Sequence, residues 1–298
     1  MKKCSPLIGK LTLQLTTAAL SSTMCLAQGT PSQQQQPPAQ QQPGQQQPGQ
    51  QQVNPANPQA APLESAPPPV NAEEDAAIKE FREVNLQETA KKDQLAEQFV
   101  QKYPNSRYSP EAYNWLVRTY YRKGEVDKME AAADKQLAVI PNDPQTLALV
   151  GSTLPRAMNA NTPDPQKRLD KADKYCHKAL ELLPVVPKPE SMPEETYQQL
   201  KAQTSALAYS GLGLVAFRRG NYNEAIPELE NALKAEPQQP DPVNYYVLGI
   251  ANEKESHFQD AVAAFTRCAA IAGGMQATCS QKLEEAKKLS ATQLSAPK

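Results

Sequence analysis

Two histidines and five cysteines limit what this chain could catalyse. Cys176 and His177 are neighbours in a segment with helical spacing. Adjacent helix positions point about 100° apart, so a nucleophile and its base would face different ways. The pair reads instead as a packed cysteine beside a solvated histidine, and His257 falls in a turn. No group of His, Cys, Asp or Glu has metal-ligand spacing, so the reading contains no metal, no cofactor and no catalytic residue. Gly211-Leu-Gly213-Leu-Val-Ala216 matches the dinucleotide fingerprint in its letters. That motif needs a strand before it and a helix starting inside it, whereas helical pattern runs through both sides here. The carboxylate pairs Glu73-Glu74 and Glu194-Glu195 lie near expected helix starts, where the helix dipole already favours acids.

The elements that carry these residues are helices. In GNYNEAIPELENALKAEP, from Gly220 to Pro237, Ala225, Leu229, Ala232 and Leu233 recur at steps of three and four and so line one side of a helix. Gly220 permits the turn before that helix, and Pro237 stops the chain after it. The pattern returns along the chain. Tyr209, Leu212, Gly213, Gly220, Tyr222, Ala225, Leu229, Ala232 and Pro237 form one copy, and Tyr245, Leu248, Gly249, Phe258, Ala261, Phe265 and Cys268 form the next. An earlier copy has Tyr113, Leu116, Tyr120, Gly124, Val126, Leu137 and Pro141. Another has Leu147, Val150 and Gly151, an insertion at about 152–165, then Ala172, Cys176, Ala179, Leu180 and Pro184.

This pattern resembles the tetratricopeptide repeat family, with an aromatic, Leu-Gly, a second aromatic, Ala, an aromatic and Pro in register. The likeness implies an all-α, right-handed superhelical solenoid of antiparallel helix pairs, with repeats at about 105–141, 144–184, 206–237 and 242–272. Gly213, Gly249, Ala225 and Ala261 are small where helices approach, and Tyr209, Tyr245 and Phe265 fill the gaps. Val117 in place of Gly, and Met129 and Cys176 among the repeat positions, are departures. Phe99 to Gly124 looks like a join between repeats in exported, periplasmic members of the family, which makes 72–104 a degenerate first helix pair. Ser191 stands three residues before Glu194, so the helix bearing Tyr209 is expected to start early and run long. After Gly273-Gly274, residues 273–290 are expected to form a capping helix, with 291–298 as a tail.

The front of the chain differs. Residues 1–27 begin with Lys2 and Lys3, run apolar from Leu11 to Leu26 and end at Ala27, the pattern of a cleaved signal peptide. An uncleaved anchor, or lipidation at Cys25, are the other readings. Residues 28–71, rich in Gln, Pro and Gly, cannot bury enough apolar surface to fold and are expected to form a disordered linker, either a selected spacer or a drifting low-complexity tract. Basic and acidic residues number 31 and 32, which gives no field for nucleic acid. The expected location is the periplasm or cell envelope, or outside the cell, with no stable membrane span once the signal is removed.

In an antiparallel hairpin about Gly273-Gly274, Cys268 and Cys279 would lie opposite each other, either as a disulfide or as two buried thiols. The family's register places Arg118, Tyr121 and Arg122, then Leu214, Phe217 and Arg218, then Tyr246 and Ile250 on the groove that binds a partner. The Lys and Asn by which some members clamp a terminal carboxylate are replaced by Ser210 and Leu214, which tells against that role. The expected function is a non-catalytic scaffold that holds a peptide or helix of a partner protein in this groove. The alternatives are a groove covered by the chain itself, and a structural spacer whose Gln/Pro-rich arm engages the cell wall or self-associates.

Overall fold

A computed structural model describes residues 71–236 and 238–295. The signal peptide, all of the linker except Asn71, the stop at Pro237 and the last three residues of the tail lie outside the described residues. Among the described residues there are helices and no strand. Five pairs follow one another: α1 (Ala72–Glu83) with α2 (Thr89–Lys102), α3 (Ser109–Lys123) with α4 (Val126–Val139), α5 (Pro144–Ala157) with α6 (Pro165–Leu182), α7 (Glu194–Arg219) with α8 (Tyr222–Ala235), and α9 (Pro242–Lys254) with α10 (Phe258–Ala270). A final helix, α11 (Gln276–Ser295), packs on α10. Besides packing on its sequence neighbours, α5 lies against α3 and α7, and α7 lies against α9. The first helices of successive pairs are therefore side by side, as a helix-pair solenoid requires.

Local chemistry sets the helix ends. Asp143 and Asp241 cap α5 and α9 through their carboxylates, which accept from Gln145 N and Val243 N, and each is followed by Pro at a helix start where no donor is needed. Gly124 and Gly220 end α3 and α7 at φ 71° and 81°. In both, the next residue donates back to the carbonyl five positions earlier, Glu125 to Tyr120 and Asn221 to Ala216, each at 2.9 Å. Ser256 occupies the matching place after α9 at φ 63°, a conformation that glycine takes at less cost.

Packing follows the repeat register. Met129, Ala172, Ala225 and Ala261, on α4, α6, α8 and α10, are completely buried. At Gly213 and Gly249 an added Cβ would meet the Leu229 and Phe265 side chains at 2.6 Å, so these residues are small because a neighbouring helix occupies their space. Cys176 is buried between Gly151 of α5 and Gly211 of α7, and an added Cβ at either glycine would lie 2.4 Å from its sulfur.

Three boundaries differ from expectation. α5 continues through Pro155 to Ala157, because the proline falls in the last turn, so the break covers only 158–164. α7 runs for 26 residues but begins at Glu194 with Pro193 as its cap, and Ser191 stays outside it. α11 extends to Ser295 through the stretch expected as tail. Cys268 and Cys279 are joined as a disulfide with Cα atoms 5.6 Å apart, which fastens α11 to α10.

Candidate functional site

The groove positions sit on the first helices α3, α7 and α9, and the structure sorts them into three groups. Arg118 and Tyr121 stand on the exposed face of α3, with Tyr121 40% exposed. Arg118 donates to Gln145 Oε1 of α5 at 2.7 Å and to Asn114 Oδ1 at 3.4 Å. Both acceptors are neutral, so the guanidinium is held in place with no acid bonded to it.

Arg122 and Arg218 are committed within the chain. Arg122 turns toward α2, where it lies 3.6 Å from Asp93, donates to Thr119 Oγ1 at 3.0 Å and covers the Trp115 ring. Asp93 is buried and also accepts from Thr119 Oγ1 at 2.6 Å, Trp115 Nε1 at 2.9 Å and Lys123 Nζ at 3.2 Å. Burial alone would raise its pKa, yet bonds from Thr119, Trp115 and Lys123 outweigh that and hold the carboxyl below its ordinary value. Arg218 donates to the carbonyls of Pro155 at 3.1 Å and Met158 at 3.0 Å, which closes the end of α5 left open after its proline.

The remaining positions belong to the packing. Leu214 is 4% exposed, enclosed with Val247, Leu248 and Ala251, and so is not a groove-lining residue. The register places it toward the face, but α9 packs on α7 there and covers it. Phe217 is half-buried with its ring edge-on to Tyr222 at 5.5 Å. Tyr246 and Ile250 pack on the cluster of Ala261, Phe265 and Ala286 together with Leu283 of α11. Beside them, burial raises the pKa of Glu253, only partly offset by Lys282 of α11. The capping helix thus occupies the C-terminal end of the expected groove.

Two further residues share the groove register on α5. Gln145 and Arg156 stand on α5 at the same offsets from Leu147 as Glu111 and Arg122 from Tyr113, so the register already contained them, but the interrupted repeat hid them. Arg156 pairs with Asp241 at 2.6 Å and with Ser210 Oγ at 3.2 Å, and Ser210 donates to Asn244 Oδ1 at 2.6 Å. These bonds tie α5, α7 and α9 together under the face. The arrangement can hold a chain by hydrogen bonds and charge. His177 is exposed and bonded to Asp173 at 2.9 Å while Cys176 is buried, so the adjacent pair does not act together. Among the described residues no group of three or more His, Cys, Asp or Glu could hold a metal ion.

The family model described as "Tetratricopeptide repeat" matches residues 206–239, the segment with Gly213 against Leu229. The chain thus contains a tetratricopeptide repeat at α7 and α8. A TPR repeat-containing protein of Methanocaldococcus jannaschii is 26% identical over 176 residues, which is 57% of this chain and 26% of that protein, so the chain spans about a quarter of its relative. Among solved structures, the type IV pilus biogenesis factor PilW is 16% identical with a TM-score of 0.45, covering 76% of this chain and 96% of its own. A thermophilic TPR protein of Thermus thermophilus is 16% identical with a TM-score of 0.43, covering 72% and 96%. No described helix of the chain is long and apolar enough to cross a membrane.

Proposed function

We propose that this protein is a non-catalytic scaffold that binds an extended segment of a partner protein across α3 and α5, and that it works in the cell envelope after export. The observation that carries the binding surface is Arg118, a fixed cation with neutral acceptors beside exposed Tyr121. A positioned charge and an adjacent aromatic ring give a segment both orientation and contact area. The reading as a scaffold is supported by the repeat family and by the burial of Cys176, which pushes its thiol far above the range of a useful nucleophile. The export reading is supported by the signal pattern in residues 1–27.

The test is crosslinked capture from the native envelope with the wild type and with Arg118→Ala/Tyr121→Ala. Both side chains are on the surface, so the variant should fold normally and lose the specific partner. Recovery of every partner with the double variant would refute the assigned face. Deletion of 28–71 should leave capture intact, whereas its loss would favour action through the Gln/Pro-rich arm. An N-terminus at Gln28 in protein from the envelope fraction would establish cleavage after Ala27.

A further inference from the structure

Away from the first-helix face, the second helices α8 and α10 flank a cleft of about 470 Å³. Its floor is apolar, formed by Ile226, Leu248, Ala263 and Ala264, and its rim carries Asn223, Asp260 and Arg267. The corresponding cleft between α4 and α6 is larger, about 630 Å³, but four of its charged groups, Glu130, Asp134, Arg168 and Lys171, are engaged in ion pairs. There Arg168 pairs with Asp127 and Glu130, and Lys171 with Glu130 and Asp134. In the α8/α10 cleft, Asp260 and Arg267 pair with no described residue, and Glu230 is held by Lys234 of its own helix at 3.5 Å. Aligning Ala172 with Ala261 puts Ala263 and Ala264 where α6 has Lys174 and Tyr175, so α10 leaves the floor bare. Pro227, inside α8, has no N–H to give the Asn223 carbonyl, which therefore lacks its usual helical donor at the same cleft.

We propose that this cleft binds a short peptide with both ends free, about three residues long. Asp260 and the Asn223 carbonyl accept from its ammonium group, Arg267 binds its carboxylate, and an apolar side chain rests on Ala263, Ala264, Ile226 and Leu248. Asp260 and Arg267 are seven positions apart on α10, hence about 10 Å along the axis, which is also about the span of three extended residues. The volume falls in the ordinary range for small-ligand sites, about 300–1,000 Å³.

Titration calorimetry of the full chain with Ala-Leu-Ala, its N-acetyl form and its C-terminal amide tests the assignment. The free tripeptide should bind saturably, and each blocked form should bind about tenfold more weakly. Asp260→Asn should weaken the free peptide to the level of the acetylated one and leave the acetylated one unchanged. Arg267→Gln should do the same for the amide. Both replaced side chains are exposed, and unchanged melting curves would confirm intact folding. Absence of saturable heat, or equal binding of all three forms, would overturn the proposal. Binding lost in Arg118→Ala but kept in Asp260→Asn would also overturn it, by moving the peptide to the first-helix face.

Discussion

The contact most open to a quantitative test is the notch where Cys176 of α6 fits between Gly151 and Gly211. A Cβ on Gly211 would lie 2.4 Å from the Cys176 sulfur and 3.0 Å from the carbonyl carbon and oxygen of Gly151. The sulfur could shift, but the backbone of α5 cannot move without disturbing its packing on α7. Overpacking of this kind costs about 1–3 kcal/mol, and replacing a mid-helix glycine by alanine returns about 1 kcal/mol of helix propensity. Gly211→Ala should therefore destabilise the protein by up to about 2 kcal/mol, a fall of roughly 4–8 °C in melting temperature for a folded part of this size. Gly274→Ala is the control, since nothing lies within 4 Å of its added Cβ, and it should change stability by less than about 0.5 kcal/mol.

Denaturant melts of both variants, with and without Cys176→Ala, separate the two contacts. Removing the sulfur should recover only part of the loss in Gly211→Ala, because the clash with Gly151 remains. If Gly211→Ala were instead more stable by about 1 kcal/mol, propensity would have won and the close α5–α7 approach would be refuted. The same approach lets Arg218 reach the carbonyls of Pro155 and Met158, so loosening it should also speed amide exchange at the end of α5.

Three further outcomes follow from the structure. Asp93 has a folded pKa below its unfolded value, so its contribution is complete above about pH 4 and is lost as pH falls through the folded value. Asp93→Asn should lower stability at pH 7 and flatten its acid dependence, and parallel acid melts of variant and wild type would contradict this. Alkylation without reductant should leave Cys268 and Cys279 unmodified by mass, and Cys268→Ser/Cys279→Ser should cost about 2–3 kcal/mol for so short a loop. Full labelling of both thiols in the native protein would show that the bond is absent. Ser256→Gly should raise stability by about 1 kcal/mol through relief of its φ of 63°, measured by thermal melt, and a loss would mean that contacts made by the serine outweigh the strain.

Helical periodicity made most of the repeats legible, because it records packing that each helix pair needs. Gly213 and Gly249 could be read as close contacts before Leu229 and Phe265 were seen to fill the space, since few other needs place glycine inside a helix. Boundaries were less legible where prolines and caps compete. Pro155 signals a stop, yet α5 runs two residues past it, and Arg218, distant in sequence, supplies donors to the carbonyls of Pro155 and Met158 at the helix end. No local pattern contains that bond.

The groove was legible as a register but not as a surface. Register fixes the side of the helix on which Leu214, Tyr246 and Ile250 stand, whereas exposure depends on which other helix reaches that side. α9 covers Leu214, and α11 packs on the cluster that Tyr246 and Ile250 join. Glu253 bears on the same point from its chemistry: a carboxyl whose pKa is raised by burial is costly to keep ionised at neutral pH, which is the mark of a position enclosed by α11. A partner entering at that end would have to displace a helix fastened through Cys268 and Cys279. Around Arg118 and Tyr121 it would have to displace only water. The two ends therefore differ in accessibility although the repeat pattern treats them alike, and a substitution series along the face should affect binding on α3 and α5 and stability from α7 onward.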